Sequence, residues 1–181
     1  MTYNLNPMQI QEFLNLSLGK WFSQRTSYLI NPEKADNSKS EITISELNSE
    51  HPDLVTLCEE HHIKPQQTYS GIKSAWDNSV DWGKSKEQGF SILVIIPDSA
   101  ESNTGKILQS TNLNTQPSLS GNYIVGSDDA LTLTVETPTL KMKERLWFPS
   151  DNLRMRTCLI ESQQGWSKTS FYSEIRKLVS S

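Results

Sequence analysis

The sequence predicts a mainly β protein: an antiparallel barrel of about ten strands, with an N-terminal helix and a second helix after the early strands. Three observations carry this expectation. Beyond His62 the pattern is almost entirely extended, and separators such as "SDD", "TPT" and "PSDN" are short enough to favour antiparallel neighbours. Only two stretches show helical spacing. A chain of 181 residues with a net charge of -4 can bury a core within a single domain over residues 1–181. The same strand spacing also permits a two-sheet sandwich, so closure is inferred from the strand count, and a closed barrel of that size can hold a ligand.

The first helix is placed by Asn6 as cap, by Pro7 in the first turn, and by Ile10, Phe13, Leu14 and Leu18 recurring at helical spacing until Gly19. The next stretch, "LGKWFSQRTSYLI", alternates as a strand does. Trp21, Ser23, Arg25 and Ser27 share one face; Phe22, Gln24, Thr26 and Tyr28 share the other. "NPEKADNSKS", residues 31–40, reads as a solvated turn on its Pro, Asp, Asn and Ser content, and "EITISEL" resumes an extended pattern. A second helix fits residues 49–62, where Leu54, Leu57, Cys58 and His61 recur at i, i+3, i+4 and i+7. Strands are then expected near 66–76, 89–96, 105–110, 122–126, 131–136, 140–148, 153–160 and 167–176, with loops in the Ser-, Asn- and Thr-rich region between Pro97 and Gly121.

Several functions are disfavoured by composition. Seventeen Lys and Arg against 21 Asp and Glu, with no dense basic block, argue against a duplex-binding surface and so against a nucleic-acid partner. The longest purely apolar run, Ile92 to Ile96, ends at Pro97 and is far too short to enter a membrane as a span. The amino terminus has no basic region followed by an apolar stretch, so a cytoplasmic protein is expected. Cys58 and Cys158 form no disulfide framework. Cys58, His61 and His62, with His51 nearby, lie on one helix, whereas zinc sites normally pair ligands from two elements, so no metal site is expected. No serine has a nucleophile-elbow context.

Gly19-Lys20-Trp21 resembles the Gly-x-Trp signature of lipocalins, in which the tryptophan closes the narrow end of the barrel and an arginine of the last strand packs over it. The resemblance implies that Trp21 faces inward, and strand parity then brings Ser23, Arg25 and Ser27 inward as well. On the last strand it makes Arg176 the cover for Trp21 and turns Tyr172 and Glu174 into the interior alongside Arg25. Arg154, Arg156 and Cys158 share one face of their strand, and two guanidinium groups there suit an anionic ligand. The opposite choice, with Leu153, Met155 and Leu159 inside and the arginines in water, is left open by parity.

"WFSQRTSY", "ERLWFPSDNLRMRT" and "SFYSEIRK" together resemble the S/U-type phycobiliprotein lyases, chromophore-attaching proteins of cyanobacteria and red-lineage plastids. The resemblance runs from Trp21 to Arg176 and includes "SAWDNSVDWG". It implies a barrel like those of lipocalins and fatty-acid-binding proteins. It also implies that a free linear tetrapyrrole, phycocyanobilin or phycoerythrobilin, is bound as substrate and delivered to a cysteine of a phycobiliprotein subunit, a phycocyanin or phycoerythrin chain, as a thioether.

No metal, nucleotide or other cofactor is implied, and the working form is expected to be a homodimer or a pair with a related lyase chain. On this basis Arg25, Arg154 and Arg156 are expected to hold the propionates, and Trp76 and Trp82 to wall the conjugated body. Glu174 or Glu144 is expected to accept the pyrrole N–H hydrogens, and Tyr172 to face the ligand where a cysteine is expected in relatives. Glu174, Arg156 and Arg25 are the expected catalytic set. The alternative is a lipocalin-like carrier of a bilin or fatty acid that attaches nothing.

Overall fold

The computed structural model describes residues 8–64, 70–111 and 117–178. Its order is α1 (Ile10–Ser17), β1 (Gly19–Ile30), β2 (Lys34–Leu47), α2 (Pro52–Glu60), β3 (Ser70–Asp77), β4 (Gln88–Pro97), β5 (Thr104–Thr111), β6 (Leu119–Val125), β7 (Leu131–Glu136), β8 (Leu140–Ser150), β9 (Leu153–Ser162) and β10 (Ser167–Arg176). Every strand pairs antiparallel with its sequence neighbours, and β10 returns to β1, with Trp21 opposite Arg176 and Arg25 opposite Tyr172. The barrel is therefore closed, and the sandwich alternative is excluded.

Strand parity decides what lies inside. On β1, Trp21, Ser23 and Ser27 are buried while Lys20, Gln24 and Thr26 are exposed. The closed end is apolar: Phe13 and Leu14 of α1 enter a core with Trp21, Ile44, Ile95, Leu133 and their neighbours. Phe148 packs edge-on against Phe13 at 5.1 Å between centroids and also meets Trp21. Helix α1 is a stopper for this end. Its start differs from expectation: Gln9 is the N-cap in a capping box with Glu12, and Asn6 and Pro7 lie outside the described residues.

Gly19 joins stopper to barrel at φ +115°, a conformation reserved for glycine, and a Cβ there would sit 3.0 Å from Arg176 Nη1. The guanidinium of Arg176 uses that closeness. It donates to the carbonyls of Leu16 (2.6 Å) and Leu18 (2.7 Å) and lies 4.2 Å from the Trp21 ring centroid. The indole Nε1 of Trp21 donates to the Ser17 carbonyl at 2.9 Å.

Helix α2 covers the outside of the barrel. Leu54, Leu57 and Cys58 pack on Leu47, Ile92, Val94 and Leu108, so β4 is buried on both faces. This explains why Ile92 to Ile96 is apolar without alternation. Gly71 permits the approach, since a Cβ there would meet Leu54 Cδ1 at 2.4 Å.

Two expectations are corrected. The second helix is shorter than 49–62, because His51 caps it through Nδ1, which accepts from the Asp53 N–H at 3.3 Å. The segment 31–40 is not a turn throughout: β2 begins at Lys34 and pairs with β1 from Leu29 back to Gly19. Part of the strand expected over 66–76 lies outside the described residues; the rest is β3.

Candidate functional site

Above the closed end the inward residues change from apolar to charged. Arg154 and Arg156 on β9, Glu144 on β8, Glu174 and Tyr172 on β10, and Arg25 on β1 all face the interior. The open alternative for β9 is thereby settled: Arg154 is 4% exposed, whereas Leu159 stands on the outer surface.

Glu174, with no exposed surface, organises the cluster. One carboxylate oxygen accepts from Arg154 Nε at 2.5 Å. The other lies 3.4 Å from Arg156 Nη2 and accepts from the Ser23 hydroxyl at 3.4 Å. Arg156 also donates to Glu144 at 3.0 Å, and its guanidinium lies 3.8 Å from the Tyr172 ring centroid. Burial alone would raise the Glu174 carboxyl, but the two guanidinium groups outweigh it and hold the group below its ordinary value. For Arg156, burial opposes the charge and Glu174 and Glu144 more than restore it; burial prevails at Arg154, whose pKa is lowered despite Glu174.

The layer faces a cavity of about 360 Å³, lined among others by Arg25, Trp76, Gln109, Arg154, Arg156 and Tyr172. A smaller recess of about 70 Å³ lies on the stopper side, where Glu144 and the same two arginines meet Phe13 and Leu14. Two larger grooves, about 530 and about 460 Å³, flank α2 on the outside of the barrel and contain none of the expected site residues. The interior cavity is the candidate site, because Arg25, Arg154 and Arg156 converge there beside the aromatic side chains of Trp76 and Tyr172.

Arg25 faces the cavity but pairs with Asp36 of β2 at 2.9 Å, not with Glu174. Asp36 also receives Lys84 from the β3–β4 connection at 2.9 Å, and that lysine, followed by Arg25, holds the carboxyl low despite some burial. Two expected roles are altered by this geometry. Trp82 is 89% exposed on the β3–β4 connection and does not line the cavity, so Trp76 is the tryptophan of the wall. Both oxygens of Glu174 are engaged by arginines and a serine beneath the surface, so it positions Arg154 and Arg156 and is not placed to touch a ligand. Glu144 is likewise buried and borders the recess; the carboxylate that lines the cavity is Glu87.

The cysteines and histidines have other surroundings. Cys58, on the barrel-facing side of α2, is fully buried and its thiol is pushed up by burial. Cys158 is pushed up to about 11, by burial first and then by Glu144, against the opposing pull of Arg156. Both are protonated thiols near neutrality. His51 caps α2, and His61 Nε2 meets the Ser118 hydroxyl at 2.9 Å. Among the described residues no three His, Cys, Asp or Glu side chains converge as a metal site would need.

The family described as CpeS-like protein matches residues 9–177. The chain belongs to the CpeS-like family. It is 39% identical to "Chromophore lyase CpcS/CpeS 1" of Trichodesmium erythraeum over 96% of this chain and all of that one. It is 37% identical to "Chromophore lyase CpcS/CpeS" of Thermosynechococcus vestitus over 93% of each. The solved S-type phycobiliprotein lyase CPES from Guillardia theta superposes with a TM-score of 0.82 at 26% identity, covering 96% of this CpeS-like chain and 95% of that one.

Proposed function

We propose that this CpeS-like chain is a chromophore lyase that binds a free linear tetrapyrrole in the barrel cavity and delivers it to a cysteine of a phycobiliprotein subunit, a phycocyanin or phycoerythrin chain. The observation that carries the proposal is the pair Arg154 and Arg156, held by a buried carboxylate and presented to a cavity walled by Trp76 and Tyr172. A bilin has propionates for the guanidinium groups and a conjugated body for the aromatic wall. Arg25, already paired with Asp36, is a propionate partner nearer the β2 side.

The reaction is an addition. The acceptor's thiolate forms a carbon–sulfur bond at the ethylidene group of ring A, and the electron pair of that double bond moves into the tetrapyrrole and takes up a proton. Nothing leaves. A carboxylate beside the pyrrole nitrogens favours a protonated, more electrophilic ligand, a role we assign to Glu144, which borders the recess beneath Arg154 and Arg156 and pairs with Arg156. The remaining contribution is conformational: a flexible ligand is held in one reactive shape while a second protein approaches. No helix of the described residues is long and apolar enough to cross a membrane, and we place the activity in the cyanobacterial cytosol or plastid stroma.

The test is co-expression with an acceptor subunit and a bilin source. A denaturation-resistant bilin on the acceptor, dependent on this chain, is expected. A bilin that stays on this chain and never reaches an acceptor would identify a carrier instead.

A further inference from the structure

Building on the proposed function, we infer that Gln109 of β5 reads the uncharged end of the ligand. Its carboxamide pairs with the terminal lactam ring of the linear tetrapyrrole that lies farther from the acceptor. Gln109 is thus a specificity-determining residue, distinct in chemistry from the arginines that take the propionates.

Strand parity turns Gln109 inward. On β5, Ile107 belongs to the interior core, whereas Leu108 packs outside against α2, so Gln109 follows Ile107 into the barrel. In the circle of strands β5 stands across from β10, and the wall it forms with β2, β3 and β4 differs from the arginine side. That wall brings hydroxyls to the cavity, from Ser40, Ser74, Ser91 and Thr111, together with the Gln109 carboxamide. Gln109 also borders the recess on the stopper side, so it stands where the two spaces meet.

Three buried side-chain atoms of the cavity lining have no hydrogen-bond partner among the described residues: Nε of Arg25, Nε of Arg156 and Oε1 of Gln109. Two are donors on cations and the third is an acceptor on a neutral amide. Asn78, another carboxamide at the cavity, is spent on the β3–β4 connection: it donates to the Ser85 carbonyl at 2.9 Å and accepts from the Glu87 N–H at 2.7 Å. Gln109 has no such use. Its cross-strand neighbours are Leu93 and Leu119, and an unpaired amide oxygen between them costs stability that an apolar side chain would not.

These three atoms are the complement of a linear tetrapyrrole. The propionates are acceptors for the arginine N–H groups. Each terminal lactam presents an N–H and a carbonyl on one edge, which a primary carboxamide matches with its oxygen and its NH₂. Ring A has to lie toward the mouth, where the acceptor's thiolate arrives. The lactam at the opposite end of the ligand then falls toward the recess, beside Gln109.

The test is an absorbance titration of the purified chain with free phycocyanobilin or phycoerythrobilin, whichever the wild type binds more tightly, and with the dimethyl ester of the same bilin. The ester has uncharged propionates and intact lactams. Gln109→Met keeps the length of the side chain and removes its hydrogen bonds. It is expected to weaken acid and ester by the same factor, about three- to tenfold, and to raise the melting temperature of the ligand-free chain. Arg156→Ala is expected to weaken the acid far more than the ester, which separates the cations from the amide. Unchanged affinity of Gln109→Met for both ligands, a loss confined to the acid, or a lower melting temperature of the ligand-free variant overturns the inference. A wild-type chain that binds no bilin rejects the proposed function, and the role of Gln109 with it.

Discussion

The two ends of the barrel interior use the same strands in the same parity and reach opposite chemistry. At the closed end Trp21, Phe13 and Phe148 form an apolar plug, and the guanidinium of Arg176 that lies on it is spent on the carbonyls of α1. Two to four residues further along β1 and β10, Ser23, Arg25, Tyr172 and Glu174, with Arg156 of β9 beside them, line or support a cavity. The first region is a device for folding. The second holds desolvated cations in ion pairs beside a cavity, the arrangement to which the proposed function assigns an anionic ligand.

The comparison breaks most visibly at Trp21. Trp21→Ala empties a fully buried site and removes the surface on which Arg176 lies, and a loss of about 3–5 kcal/mol is expected in denaturant unfolding. Next is Glu174. Glu174→Leu leaves Arg154 buried without its partner and is expected to destabilise by about 3–5 kcal/mol.

The pH dependence has a definite sign. Because the arginines hold the folded Glu174 carboxyl below its unfolded value of about 4.3, its contribution is present above that pH and is lost as pH falls through the folded value. Acid unfolding of Glu174→Gln is therefore expected to be flatter than wild type below that point, and superimposable curves would contradict the ion-pair layer.

How much of this was legible in the residues depended on contrast between faces. The "WFSQRTS" stretch showed its parity because a tryptophan and an arginine shared one face, while the resemblance to lipocalins supplied which face turns inward and that Arg176 covers Trp21. Asp36 was missed for the converse reason. Its inward neighbours Ser38 and Ser40 line a polar cavity while its outward neighbours meet water, so β2 is polar on both faces from Lys34 to Ser40 and resembles a turn. Arg25 consequently found a partner that its sequence context did not suggest. Trp82 failed differently: it sits two residues before Lys84, on a connection tied to Asp36, and an aromatic residue in a loop carries no parity with which to place it. Glu174 was rightly placed inside but its role was not legible, since only coordinates reveal that both oxygens are already engaged.

Smaller effects sharpen the contrast. Arg25→Ala removes a partly exposed pair with Asp36, so stability should change little while bilin affinity falls by the value of a charged hydrogen bond, about 1.5–3 kcal/mol. The smallest expected effect is that of the thiols. With Cys158 pushed up to about 11 and Cys58 buried, the Cys58→Ser, Cys158→Ser double variant is expected to transfer bilin as the wild type does. Loss of transfer with binding intact would point to a covalent relay through this chain.

The most direct measurement of the central claim is an absorbance titration of the purified chain with free bilin, comparing wild type, Arg156→Ala and the closed-end variant Trp21→Phe, each checked for folding by circular dichroism. Arg156→Ala is expected to weaken binding by about 1.5–3 kcal/mol, roughly ten- to 150-fold, and to alter the bound spectrum. Trp21→Phe is expected to lower stability and leave affinity unchanged. Equal affinity in a folded Arg156→Ala chain, or a loss of binding in Trp21→Phe as large as in Arg156→Ala, would contradict the assignment of the charged layer as the ligand site.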